Sequence, residues 1–106
     1  MFVAFTTVDS PDWAETLARE AVGGRLAACA QVEGPITSHY WWEGKLEKSQ
    51  EWRVMFKCLP ARLEELKKWV LSRHPYDTPE WIAVRAEEVG EKYLSWARST
   101  STSSLS

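Results

Sequence analysis

Three features of the sequence predict an α+β fold. Apolar segments follow one another in the order βαββαβ, the two central strands read as one long β-hairpin, and a further helix is added near the end. This combination predicts a ferredoxin-like sandwich, in which helices cover one face of an antiparallel sheet. The 106 residues suffice for one small domain, which we expect over residues 1–98, followed by a disordered Ser/Thr-rich tail over residues 99–106.

The first strand and helix have clear local signals. Phe2–Val8 is a short apolar, β-branched run typical of a buried strand. Asp9–Pro11 supplies a capping side chain and a proline at the first helical position. Apolar residues recur at helical spacing through Asp12–Val22, and Gly23-Gly24 ends the helix.

The second strand is predicted in two parts. Leu26–Val32 is too short and too sharply bounded for a helix, and Glu33–Pro35 then interrupts the pattern because proline cannot donate to a central ladder. The strand resumes at Ile36–Trp42, where residues alternate between two faces that both carry aromatic side chains. We therefore expect a bulge or bend, and protein against both faces.

The hairpin turn is predicted at Glu43–Lys45, which contains a glycine between two polar residues. Glu51–Cys58 alternates apolar and polar residues and is the returning strand. The polar segment Leu46–Glu51 is expected to form a hairpin tip that projects beyond the domain.

The second half repeats the strand and helix pattern. Leu59-Pro60 opens a helix whose apolar side chains include Leu63, Leu66 and Val70. The helix stops at His74, because Pro75 disfavours a helical conformation in the residue before it. Trp81–Ala86 then reads as the fourth strand, and Gly90–Arg98 as the added helix, with Val89, Tyr93, Trp96 and Ala97 at inner spacing.

Charge and hydropathy argue against several partners. The net charge is −2, and lysine and arginine are scattered, so we expect no nucleic acid binding. No apolar run approaches the ~20 residues of a membrane-spanning helix, and the N-terminal residues lack signal-peptide features. We therefore expect a cytoplasmic protein without membrane contact.

Enzymatic chemistry has weak support. Either cysteine, Cys29 or Cys58, could act as a nucleophile with a histidine and an aspartate, but no motif ties them together. Both read more simply as packed thiols. Phosphate-binding glycine loops and paired catalytic carboxylates are also missing from the sequence pattern. We expect no catalytic activity and no organic cofactor.

A metal site and a rigid corner both remain open for the stretch RHPYDTPEW, residues 73–81. Thiolate and imidazole ligands suit copper and zinc, and the chain has two cysteines and two histidines. No HxxxH or CxxC spacing occurs, so a metal site would combine distant segments or several subunits. The two prolines favour a stiff connection in which His74 is held fixed.

Four segments, LAACAQV, ITSHYWWEGKLE, HPYDTP and YLSWA, resemble the CutA family of divalent-cation tolerance proteins across residues 2–98. The resemblance implies a compact homotrimer of ferredoxin-like subunits, a link to copper and other divalent cations that are weakly bound, and no established catalysis. Cys29 and His74 stand at family cysteine and histidine positions and are the implied metal ligands. Phe5 and Arg73 stand where some relatives have a further cysteine and histidine, which weakens the set.

A second function follows from the similarity of such trimers to PII signalling proteins, which bind small ligands between subunits. By that analogy five residues would line an intersubunit pocket: Tyr40, Trp41, Lys57, His74 and Tyr76. The analogy concerns the fold alone. Neither the physiological ligand nor a protein partner follows from the sequence.

Overall fold

The computed structural model describes residues 1–101, which form a four-stranded sheet and three α-helices. The predicted ferredoxin-like α+β fold and its βαββαβ order are confirmed, as is the added C-terminal helix. The elements are β1 (Phe2–Val8), α1 (Pro11–Gly23), β2 (Cys29–Trp42), β3 (Lys45–Cys58), a 3-10 turn (Pro60–Arg62), α2 (Leu63–Arg73), β4 (Ile82–Arg85) and α3 (Glu91–Ser101).

The sheet is antiparallel, with the strand order β2-β3-β1-β4. Its longest pairing is the β2–β3 hairpin, two strands of 14 residues each. The register shifts between Glu33 and Ile36, which confirms the predicted interruption. Gly34 lies there with φ of 157°, against the Trp52 ring, where a side chain would collide with the indole.

One face of the sheet packs against the helices. Alternation along β1 and β3 directs Ala4, Val54 and Phe56 to this covered face, and all three are fully buried. From the helices, Leu17 of α1 and Leu66 of α2 fill the same core. This burial of apolar surface supplies the main driving force for folding of the single chain.

The opposite, open face of the sheet is apolar along β1 and β4 and in part of β3. It carries five apolar side chains that alternate with the covered ones: Val3, Phe5, Met55, Ile82 and Val84. Ile82 and Val84 are 51% and 47% exposed. The apolar side chains thus lie on both faces of the sheet, and the helices cover one face. Toward β2 and β3 the open face also carries polar residues, in the pairs Glu33–Arg53 and Gln31–Lys57.

The helix boundaries follow local chemistry. Ser10 caps α1, since its Oγ accepts a hydrogen bond from the backbone N–H of Trp13 at 3.2 Å. Proline opens the second helical region as predicted, but its first turn is the 3-10 segment and α2 begins at Leu63. His74 follows α2 in an extended conformation with φ −70° and ψ 136°, which confirms the predicted stop.

Two predictions in the hairpin region are wrong. Leu26–Ala28 precedes the strand, because β2 begins at Cys29. Leu46–Glu51 is part of β3 and pairs with Ile36–Trp41. The turn predicted at Glu43–Lys45 is confirmed, with positive φ at Glu43 and Gly44. The polar composition does not prevent pairing, since a ladder is built from backbone groups.

The added helix is longer than predicted. It continues to Ser101, so residues 99–101 of the predicted disordered tail are helical. Its end is held by the Arg25 guanidinium, whose Nη1 donates to the Thr100 carbonyl at 2.6 Å, and Ser101 is buried. The rest of the predicted tail, residues 102–106, lies outside the described residues.

Candidate functional site

The loop after α2 is fixed by the imidazole of His74. Its Nδ1 accepts a hydrogen bond from the backbone N–H of Tyr76 at 3.1 Å, so the ring proton is assigned to Nε2. Nε2 lies 3.1 Å from the carbonyl oxygen of Thr7 and 2.9 Å from Thr6 Oγ1. Thr6 Oγ1 in turn donates to the Glu80 carbonyl at 2.7 Å. The predicted stiff corner is therefore tied to β1 at both ends.

Burial lowers the pKa of His74, against the opposing effects of its hydrogen bond to Thr7 and of the nearby Glu51 and Asp9 carboxylates. The lowered pKa favours the neutral imidazole at pH 7. Both ring nitrogens already have hydrogen-bond partners. A metal ion can bind His74 only if one of these hydrogen bonds breaks.

Tyr76 connects the corner to the hairpin. Its Oη donates to Glu51 Oε2 at 2.8 Å, and Glu51 is only 8% exposed. The pKa of Tyr76 is raised by burial first, and then by the hydrogen bond to Glu51 and by the Glu51 charge. The phenol consequently stays protonated and remains a hydrogen-bond donor to the carboxylate.

A cleft of about 740 Å³ opens between this corner and the hairpin. From the hairpin it is lined by Ser38, His39, Tyr40, Trp42 and Glu51, and from β1 and the corner by Thr7 and residues 76–80. Tyr40 also exchanges a hydrogen bond with Ser49 at 3.2 Å between hydroxyl oxygens. The cleft therefore combines aromatic walls with carboxylates.

The five residues of the predicted intersubunit pocket are only partly brought together. Tyr40 and Tyr76 line the cleft, and His74 lies directly behind Tyr76, with ring centroids 4.9 Å apart. Trp41 alternates to the other side of β2 and is 72% exposed. Lys57 lies near the far end of β3, where its Nζ donates to Gln31 Oε1 at 2.6 Å.

The two cysteines lie on opposite faces of the sheet. Cys58 is fully buried on the covered face, and burial raises its pKa to about 11. Cys29, opposite Lys57 in the ladder, is half-buried on the open face. Tyr93 of α3 adjoins Cys29, and its pKa is raised by burial first and then by the thiolate charge and a hydrogen bond. Cys29 is the more accessible thiol for a metal.

Cys29 and His74 do not meet within one subunit. The ladder aligns Cys29 with Lys57 and Val3, whereas His74 contacts Thr7. Val3 and Thr7 are separated by four positions of β1, about 13 Å. Within residues 1–101 no group of three or more His, Cys, Asp or Glu side chains lies close enough to hold a metal ion.

Glu51 is the site residue that the sequence interpretation missed. The sequence pattern places it where the predicted hairpin tip meets the returning strand and does not mark it as a site residue. In the structure it lies in β3, directly opposite Ile36. The alternation of the returning strand carries a signal, because Glu51 continues the series of Arg53 and Met55 on one face.

In the part of the chain that the structure covers, no helix is long and apolar enough to cross a membrane.

Comparison with known proteins gives a consistent result. Residues 2–100 match the family model described as CutA1 divalent ion tolerance protein. The divalent-cation tolerance protein CutA of Pyrococcus horikoshii is 38% identical over 98 residues, which cover 91% of this chain and 93% of the relative. The match therefore extends over nearly the whole of both chains.

Solved structures of relatives have the same fold. The divalent cation tolerance protein of Thermus thermophilus superposes with a TM-score of 0.85 at 36% identity, covering 91% of this chain and 94% of that one. The CutA protein of Archaeoglobus fulgidus, described as a periplasmic divalent cation tolerance protein, gives a TM-score of 0.91 at 31% identity, with 96% and 100% covered.

Proposed function

This chain belongs to the family of CutA1 divalent ion tolerance proteins, and on that premise we propose that it is a homotrimer that binds divalent metal ions, copper among them, without catalysing a reaction. The observation that carries the proposal is the half-buried Cys29 thiol on the open apolar face of the sheet. At that position it is available both to a metal ion and to side chains of neighbouring subunits.

Assembly is supported by the surface that the single chain leaves uncovered. The open face and the exposed aromatic residues of the hairpin, Tyr40, Trp41 and Trp42, expose large apolar side chains. A closed symmetric oligomer would cover this surface and pair the free edges of β2 and β4. The family resemblance implies that the number of subunits is three.

Sedimentation equilibrium tests the assembly. We expect a single species at three times the chain mass of 12.2 kDa. A chain of this size with an uncovered apolar face should not persist alone. A folded monomer at micromolar concentration would contradict the trimer.

Metal binding is supported by the chemistry of the open-face thiol. Thiolate is a soft ligand that suits copper and zinc. Cys58 is a poorer candidate, because its pKa of about 11 keeps it protonated at neutral pH. His74 would have to come from another subunit and release a hydrogen bond, which favours weak binding.

Titrations with zinc and with copper(I) under reducing conditions test the ligand set. We expect Cys29→Ser to weaken metal binding at least tenfold. His74→Ala should weaken it less, because a site shared between subunits would still contain the Cys29 thiolates in that variant. The matched control is Cys58→Ala, which removes the buried thiol and should leave the affinity unchanged. Unchanged affinity in both Cys29→Ser and His74→Ala would remove these residues from the site.

The cleft favours a second candidate function, a PII-like trimeric module that binds a small ligand between subunits. Its volume of about 740 Å³ lies within the range of small-molecule pockets, ~300–1,000 Å³. Tyr40 and Tyr76 would come from one subunit, and Trp41 and Lys57 would have to come from others. A thermal-shift screen of nucleotides, amino acids, organic acids and amines tests it, and the absence of any shift would count against it.

The compartment stays a prediction. We propose a cytoplasmic location from the sequence, whereas the Archaeoglobus relative is described as periplasmic. Cell fractionation with a compartment marker distinguishes the two locations.

A further inference from the structure

We propose that the cleft between the corner and the hairpin binds a small organic ammonium ion, with its positive head group beside the Glu51 carboxylate and against the rings of Tyr40, Trp42 and Tyr76. The proposal rests on the second candidate function, the small-ligand cleft, and names the chemical class of its ligand. Three properties of the cleft support it.

The first property is the buried, uncompensated charge of Glu51. Its side chain is nine-tenths buried and lines the cleft, and Oε2 accepts the hydrogen bond from Tyr76. Across the described residues 1–101, neither lysine nor arginine forms an ion pair with it, and its second oxygen has no hydrogen-bond donor. A buried carboxylate without a cationic partner is costly, and a bound cation would remove that cost.

The second property is the sign of the charge around the cleft. Asp77 and Glu80 line it together with Glu51, and His39 is the one basic side chain among the described lining residues. Lys45 and Lys48 lie opposite Trp42 and His39 in the ladder but do not line the cleft. Such a site repels phosphates and carboxylates and attracts cations. Anionic metabolites are therefore disfavoured as ligands.

The third property is the aromatic wall. Tyr40 and Trp42 lie on the same side of β2, and Tyr76 faces them from the corner. The faces of aromatic rings attract an ammonium group electrostatically. A hard metal ion would instead require several oxygen ligands close together. Among the described residues, no group of three or more His, Cys, Asp or Glu side chains could hold such an ion.

Calorimetric titration of the trimer at pH 7.5 and low salt tests the charge preference. The three probes are n-butylammonium, 1-butanol and butyrate, which share a chain and differ in the charge of the head group. We expect n-butylammonium to bind at least tenfold more tightly than the other two, and to weaken as salt is added. Equal or tighter binding of 1-butanol or butyrate would overturn the proposal.

Variants test the location of the site. Glu51→Gln should weaken n-butylammonium binding at least tenfold, whereas Glu47→Gln, on the same side of β3 but outside the cleft, should leave it unchanged. If Glu51→Gln does not fold, Tyr40→Leu and Trp42→Leu replace it, each used only when sedimentation shows that it assembles like the wild type, because the proposed assembly covers both residues. Unchanged binding in the folded cleft variants, or an equal loss in Glu47→Gln, would overturn the location.

Two further results separate this proposal from the others. A trimer structure with a lysine or arginine of a neighbouring subunit in the cleft would overturn it, because the Glu51 charge would then be compensated within the protein. A copper(I) titration of the same wild-type preparation reports on metal binding alone. Metal binding without n-butylammonium binding would refute the ammonium site and leave the metal proposal standing.

Discussion

Both faces of the sheet carry apolar side chains, but their surroundings differ. Phe56 and Met55 are neighbours in β3, yet Phe56 is fully buried under the helices and Met55 lies half-buried on the open face. On the covered face, helices of the same chain bury the apolar side chains and so stabilise the fold. The open face gains comparable burial only if another chain covers it. The same alternation of residues thus serves folding on one face and association on the other.

The two cysteines show that the difference in burial between the faces also changes thiol reactivity. Cys58 is buried on the covered face with its pKa raised to about 11, and Cys29 is half-buried on the open face beside Tyr93. A thiol beneath the helices packs as a small apolar group, whereas a thiol on the open face can reach metals and other subunits. The two residues are chemically identical, so the difference in their burial determines whether each thiol packs as an apolar group or reacts.

The largest expected effect is the loss of stability caused by a substitution on the covered face. Phe56→Ala should lower the free energy of unfolding by about 3–5 kcal/mol, because it leaves a cavity in a closed core. Urea denaturation at fixed protein concentration measures it. Met55→Ala is the matched control and should cost less, by an amount that depends on protein concentration. A similar, concentration-independent cost for both variants would remove the distinction between the faces.

The next effect concerns association. Val84→Lys places a charge on the open face at the edge strand β4. If a neighbouring subunit covers this position, burying an unpaired ammonium costs several kcal/mol, so we expect association to weaken at least about tenfold. Val22→Lys is the matched control on α1, where the valine is 37% exposed. Sedimentation velocity over a concentration series measures the association of the two variants and distinguishes them. An intact trimer in Val84→Lys would show that the open face is not the interface.

A smaller effect distinguishes the thiols by reactivity. With a pKa of about 11, only about 0.1% of Cys58 is thiolate at pH 8. Cys29 should therefore be alkylated by iodoacetamide much faster, as measured by peptide mass spectrometry over time. Alkylation of Cys58 first would contradict its burial.

The smallest effect is on pH dependence. The folded-state pKa of His74 lies below the value of ~6.5 of the unfolded chain, so the unfolded state binds more protons and acid favours unfolding. The stability from neutral His74 is present above pH ~6.5 and is lost as the pH falls through the folded pKa. Between pH 7.5 and 5, the melting temperature of the wild type should fall slightly more than that of His74→Gln. Parallel curves would show that His74 does not contribute.

Some of the candidate site follows from local signals. Pro75 predicts the extended conformation of His74, and the short strand before Pro35 predicts where Cys29 lies. Glu51 was not predicted, because a polar run of residues reads equally as a turn or as a strand that pairs through its backbone. Its contact with Tyr76 joins residues 25 positions apart, beyond the reach of any local pattern.

The sequence by itself determined the order of strands and helices, the capping of α1, the stop before Pro75 and the alternation that places apolar side chains on both faces of the sheet. These features depend on neighbouring residues and on periods of two or 3.6 residues. The tertiary structure alone decided the hairpin register, the end of α3 and the closing of the corner by Thr6 and Glu80, which are 74 positions apart. The physical reason is that such contacts form only after packing has brought distant segments together.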